Sequence, residues 1–197
     1  MIKKQQLTAV ILAGGKGRRL QGQDKGLIEF DGMPLIEHIL IGITPQVDQI
    51  LINANRNQDI YRQYGFTVIA DDLADFQGPL AGLASALQRT NTDFIVSLPC
   101  DCPQVPDDYV ERLCSAYLNQ QAELAVAHDG QRLQPIHALI PRTLSNSLHD
   151  FLKTGERQVS RWYAKHNMAL ADFTDTRQSF ININTQVDKQ RLLTEIR

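Results

Sequence analysis

The chain has 197 residues, 43% hydrophobic and 21% charged, which suits one globular domain with a sizeable core. Its 20 Lys and Arg against 22 Asp and Glu leave a net charge of −2, which argues against a general nucleic-acid binder. No window approaches the roughly 18 apolar residues of a membrane span, the start MIKKQQL lacks the apolar core of a signal peptide, and three cysteines, Cys100, Cys102 and Cys114, fit a reducing compartment without a disulfide framework. The expectation is a cytoplasmic protein that partners neither nucleic acid nor membrane.

Leu7–Leu12 is short, apolar and stopped by glycines, and so reads as a buried strand. Leu27–Phe30 reads as extended and ends in an Asp31-Gly32 turn, and Pro34 opens a helix to about Ile43. A strand follows at Gln49–Asn53, a short helix at Gln58–Tyr64 and a third strand at Thr67–Ala70, before Asp71-Asp72. Pro79–Arg89 carries Leu80, Leu83, Ala84 and Leu87 on one helical stripe. Asp93–Leu98 is the cleanest strand and stops at Pro99-Cys100-Asp101. Next come a helix at Asp107–Leu118, paired strands at Leu124–Ala127 and Pro135–Ile140, and helices at Pro141–Lys153 and Arg157–His166. Strands at Ala169–Phe173 and Phe180–Asn184 precede a last helix from Thr185 to about Ile196. Strands alternating with helices predict right-handed βαβ units: one α/β domain, a mainly parallel sheet with helices on both faces. Ligands in such sheets lie beyond the carboxyl ends of the strands, where Ala13–Gly17, Asn53, Asp71 and Asp101 fall.

The first of these strand ends is the most informative. Gly14, Gly15 and Gly17 let backbone N–H groups approach phosphates, and Lys16, Arg18, Arg19 and Lys25 supply countercharge. The loop is not a Walker loop, because Gln23 and Asp24 follow Gly22. Nor is it a dinucleotide fingerprint, because Leu20 stands at the third glycine.

The run LAGGKGRRLQGQDKG at 12–26 resembles the nucleotidyltransferase signature LAGG-x-x-x-R-M-G-x-x-K. With INANR at 52–56, ADD at 70–72, GPLAG at 78–82, PCDCP at 99–103 and NINT at 182–185, the chain is similar over nearly its full length to the molybdenum cofactor guanylyltransferases. Leu20 stands where that signature has Met, and Gln21 where a glycine is common. The resemblance implies a Rossmann-like, GT-A-like three-layer domain over residues 1–197. Its part up to about residue 105 would bind nucleotide, and the part from about 106 would face a pterin. It implies transfer of GMP from GTP to the terminal phosphate of molybdenum-molybdopterin, with Mg²⁺ as cofactor and release of pyrophosphate. Molybdopterin-handling proteins and acceptor molybdoenzymes are the implied partners. Rival readings are a sibling that transfers CMP or uses a sugar phosphate, and a carrier without turnover.

In that family the positions matching Leu12, Ala13, Gly14, Lys25, Asn53, Asp71 and Asp101 contact the nucleotide or its metal, and Gly15 lies in the same loop. Lys25, Arg19 and Asp101 are the candidates for the chemistry, because fixed cations and a metal-holding carboxylate stabilise charge that grows as pyrophosphate leaves. Asp101 is the expected metal ligand. Asn53 and Asp71 offer the donors and acceptors that read a base or ribose. Gly78, Gly82, Asn182 and Asn184 are expected on the pterin side. The five histidines show no metal spacing and read as structural or surface residues.

Overall fold

β1 (Leu7–Leu12) is the strand around which the chain is assembled. Five of its six residues are buried, the near-continuous apolar pattern of a parallel strand covered on both faces. The structure is a computed structural model and describes residues 1–13, 24–72, 78–183, 185, 188–190 and 192. Gly14, Gly15, Lys16, Arg19 and Asn184 lie outside the described residues, as does most of the expected last helix.

The further elements are β2 (Glu29–Phe30), β3 (Met33–Pro34), α1 (Leu35–Ile43), β4 (Gln49–Asn53), α2 (Gln58–Arg62), β5 (Thr67–Ile69), α3 (Pro79–Arg89) and β6 (Phe94–Pro99). They are followed by α4 (Tyr109–Asn119), β7 (Leu124–His128), β8 (Leu133–Pro141), α5 (Ser145–Lys153), α6 (Val159–Tyr163) and β9 (Met168–Asp172). A seven-stranded sheet has the order β5-β4-β1-β6-β8-β7-β9, and β2-β3 is a separate hairpin. Asp31 and Gly32 both take positive φ in its turn, 47° and 82°, as a two-residue hairpin requires.

Strands β5, β4, β1 and β6 run parallel, and β8 is antiparallel to both β6 and β7. The sheet is thus mainly parallel, as the alternation of elements predicts, with one reversed strand. Period-two alternation divides β1 between two cores: Leu7, Ala9 and Ile11 pack with α1, α2 and α4, and Val10 with α3, α5 and α6. Each fully buried Leu or Ile contributes about 1.5–3 kcal/mol before chain entropy opposes it. No helix among the described residues is long and apolar enough to cross a membrane.

Three expectations need correction. Pro141 ends β8 opposite Phe94 rather than opening a helix; the bond at this end of the ladder comes from the next residue, Arg142 N–H donating to Asp93 O at 2.8 Å, so the N–H that proline lacks is not needed. The expected helix 157–166 forms only over Val159–Tyr163. Phe180–Asn184 is not a strand: Thr174–Phe180 turns as 3-10 helix, and Ile181–Ile183 joins no sheet. Ile183 instead is buried with Phe30 and Leu35, and its N–H donates to Asp101 O at 2.8 Å.

β8 also carries a bulge. Opposite β7, Gln134 faces Ala127 while Ala138 faces the neighbouring Val126, so Pro135, Ile136 and His137 are extra. This is where a strand tolerates proline, and a bulge re-aims side chains. Tyr163 Oη and Ser97 Oγ donate to the freed carbonyls of Pro135 and Ile136 at 2.8 and 2.7 Å.

Candidate active site

Register sets the site. Leu12 lies opposite Asn53 on β4 and opposite Pro99 on β6, and Asn53 lies opposite Ile69 on β5. The four parallel strands therefore end in one row. Past that row the chain is tied across: Ala13 N–H donates to Asn53 O, Ala54 N–H to Ile69 O and Cys100 N–H to Leu12 O. Ala13, Asn53, Asp71 and Asp101 consequently share the carboxyl edge, where α/β sheets bind ligands.

At the β6 end, Asp101 is almost buried, 6% exposed. Its Oδ2 accepts from Lys25 Nζ at 2.7 Å and its Oδ1 from Asn182 Nδ2 at 3.0 Å. One carboxylate thus joins the Gly-rich segment to the C-terminal segment, which are 76 and 81 residues away in sequence. Lys25 begins a 3-10 turn whose cap is Asp24. The Asp24 side chain is 3% exposed and accepts from Gly26 N–H, Asn57 Nδ2 and Tyr61 Oη, with Arg56 Nε at 3.8 Å. Burial, then the negative charge of its neighbours, pushes the Tyr61 phenol far up, so it remains a donor to Asp24. Gly26 is required here: a Cβ would stand 2.5 Å from Tyr61 Oη.

At the β4 and β5 ends, Asp71 accepts from Asn53 Nδ2 at 3.0 Å and Asn55 Nδ2 at 2.7 Å, and Asn55 Oδ1 accepts its N–H. Neighbouring Asp72 is engaged differently. The Arg89 guanidinium grips it with two nitrogens and holds its carboxyl below the usual carboxylate range. α3 closes this side. Gly82 is buried against Asn53, where a Cβ would come within 2.4 Å of Oδ1, while Gly78, with φ +85°, has open space around it.

The sequence reading missed Asp24, Asn55, Asn57 and Tyr61. The signal for Asn55 was its place in INANR; Asp24 is the one acid beside six Lys and Arg in residues 1–25, which marks it without giving its role. Cys100 and Cys102 are buried, and burial above all pushes both thiols up, so neither is a thiolate.

A row of parallel strand ends bearing an ammonium–carboxylate contact, an amide–carboxylate pair and a Gly-rich segment defines a nucleotide-handling α/β protein. The family model for a MobA-like NTP transferase domain matches residues 9–169. A protein of Shewanella sp. (strain MR-4), named molybdenum cofactor guanylyltransferase, is 51% identical over 191 residues, 97% of either chain. The crystal structure of molybdopterin-guanine dinucleotide biosynthesis protein A from Archaeoglobus fulgidus superposes with a TM-score of 0.80 at 22% identity, covering 96% of this chain and 98% of that one. A 4-diphosphocytidyl-2C-methyl-D-erythritol synthase from Anaerococcus prevotii gives 0.74 at 11% identity, covering 98% and 96%, so the fold alone does not choose the base. The chain belongs to the MobA-like NTP transferases, and within them to the molybdenum cofactor guanylyltransferases.

Proposed function

We propose that this chain transfers GMP from GTP to the terminal phosphate of molybdenum-loaded molybdopterin at the carboxyl edge of β1, β4, β5 and β6. An oxygen of the acceptor phosphate attacks the α-phosphorus of GTP. The new O–P bond forms as the bond to the bridging β-phosphate oxygen breaks, and pyrophosphate leaves with the electron pair. A phosphate monoester is already ionised near pH 7, so no general base is needed. Alignment and charge neutralisation then carry the catalysis.

Lys25, together with Arg19 of the Gly-rich segment, opposes the charge that grows on the leaving group. Gly14 and Gly15 offer backbone N–H groups to the phosphates, Leu12 and Ala13 line the nucleotide at the end of β1, and Asn53 and Asp71 read the base or ribose. Asn182 stands on the pterin side, as do Asn184 and Gly78 by resemblance; Gly82 acts through Asn53, against which it is buried. Asp101 would hold Mg²⁺. Each of its oxygens accepts one hydrogen bond among the described residues, which leaves a lone-pair site on each. A single hard carboxylate beside a nucleotide suits Mg²⁺, which takes its remaining ligands from phosphates and water. Bound there, the ion would neutralise developing phosphate charge. The protein would work in the cytoplasm, receiving its acceptor from molybdopterin-handling proteins and passing the dinucleotide to molybdoenzymes.

The observation that carries this reading is the contact of Lys25 with Asp101 at 2.7 Å, at the end of the strand row and beside Asn182. Pyrophosphate release tests it, measured with GTP and with CTP, each with and without the molybdenum-loaded pterin. Release that requires both GTP and the pterin is expected. Equal turnover with CTP, or none with either nucleotide, would overturn it.

A further inference from the structure

Two clefts open beside Asn182. One, of about 270 Å³, runs along the β8 bulge past Pro135 and Ile136 and reaches Pro99 at the end of β6. The other, of about 390 Å³, is lined by Asp129, Gln131, Arg132 and Arg177 among others. Arg132 and Asn182 line both. Since Asn182 Nδ2 donates to Asp101, one side chain separates the second cleft from the carboxylate of the proposed reaction.

The second cleft is built around a buried acid. Asp129 is 5% exposed; its Oδ1 accepts from the backbone N–H groups of Gln131 and Arg132, and its Oδ2 from Gln134 Nε2. These three hydrogen bonds fix the loop, while the carboxylate keeps its charge and a lone-pair site on Oδ2. Gly130 takes φ +87°, and a Cβ there would stand 2.9 Å from Thr174 and 3.1 Å from Arg177 Nη2. The missing side chain lets the Arg177 guanidinium lie against the loop, where its Nε donates to Asp129 O at 3.0 Å. The terminal nitrogens of Arg177 have no hydrogen-bond partner among the described residues. Arg132 reaches Asp129 only at 3.9 Å, and its side chain is 72% exposed. Both guanidinium groups line this cleft, and among the described residues Asp129 is the one carboxylate in its lining, held by three hydrogen bonds.

The reaction has a need that this arrangement meets. It brings a phosphate dianion up to a triphosphate, and the cations Lys25 and Arg19 serve the triphosphate. Without countercharge of its own the acceptor would be repelled. We propose that Arg132 and Arg177 form the seat of the acceptor's phosphate monoester, on the pterin side of Asn182. Planar forks bind phosphate through paired N–H groups, and the two guanidinium charges outweigh the single negative charge of Asp129 in the same cleft. The first cleft, lined by Pro99, Leu133, Pro135 and Ile136 beside Arg132 and His137, leaves room for the uncharged ring system. This assignment rests on the transfer reaction proposed above.

The variants Arg132→Gln, Arg177→Gln and the double substitution test the seat, by acceptor KM at saturating GTP and GTP KM at saturating acceptor. Equilibrium titration with a synthetic pterin phosphomonoester, without GTP, gives a readout independent of turnover. Each single change is expected to weaken the acceptor about tenfold to a hundredfold, the worth of a charged hydrogen bond, with GTP KM within about threefold. Arg177→Lys keeps charge but not the fork and should fall between. A folded double variant with unchanged acceptor KM and phosphomonoester affinity would overturn the seat, as would equal weakening of GTP and acceptor. If the wild-type protein released no pyrophosphate, the transfer reaction would fail, yet loss of phosphomonoester binding in the variants would still report the seat.

Discussion

Gly82 and Asn53 are fitted to each other: the α3 glycine leaves the space that the Asn53 amide fills, with 2.4 Å between an added Cβ and Oδ1. Asn53 is 2% exposed and reaches Asp71 from that position. Glycine in GPLAG is thus a condition for the amide–carboxylate pair. Gly82→Ala should push Asn53 off Asp71 and cost about 1–3 kcal/mol of stability, as overpacking does. GTP affinity by calorimetry should fall about tenfold, the scale of one lost hydrogen bond. A folded variant with normal GTP affinity would separate Asn53 from nucleotide binding.

The second fitted pair lies under Lys25. A Cβ on Gly26 would strike Tyr61 Oη at 2.5 Å, and that hydroxyl is a donor to buried Asp24. Gly26→Ala is expected to destabilise by about 1–3 kcal/mol in urea unfolding. Tyr61→Phe removes the struck atom, so the alanine should cost less in that background. A double-mutant cycle measures the coupling, and strict additivity would mean the clash is relieved elsewhere.

Acid should loosen the protein through His137. Burial lowers its pKa from 6.5 to about 3, and the ring packs against Tyr109 and Phe180. The unfolded chain takes up this proton near pH 6.5 and the folded chain does not until about pH 3. The stability is full above pH 6.5 and is lost as pH falls through that window, by up to about 1.4 kcal/mol per pH unit. Chemical unfolding from pH 7 to pH 4 checks it: the slope should be shallower in His137→Phe. Parallel slopes would show that His137 ionises freely in the folded state.

Most of this architecture was legible because strands and helices differ in apolar period, and glycine and proline mark their ends. Pro79–Arg89 and Gln49–Asn53 form where the pattern places them. The failures have local causes. Phe180–Asn184 alternates like a strand, yet the Ile183 N–H is taken by Asp101, Phe180 packs into the main core, and Ile181 and Ile183 join a satellite cluster. Pro141 reads as a helix start, yet β8 reaches it. Within the site, Asn53, Asp71 and Asp101 were readable as polar residues at strand ends, and Lys25 as a cation of the Gly-rich loop. Asp24 and Tyr61 were not, since their roles come from burial 37 residues apart in sequence. Arg132 and Arg177 come from turns that no periodicity marks.

The central claim is that transfer takes place where Lys25 meets Asp101. Asp101→Asn keeps size and the amide contact to the C-terminal segment, but removes the charge that would hold Mg²⁺ and pair with Lys25. The most direct measurement is steady-state turnover of Asp101→Asn across a Mg²⁺ titration, with melting of the ligand-free protein as the fold control. Turnover should fall by at least about 10² to 10³, the effect of removing one electrostatic element from a transition state, while GTP affinity changes far less. Near-normal turnover at low Mg²⁺ in a folded Asp101→Asn protein would contradict the account.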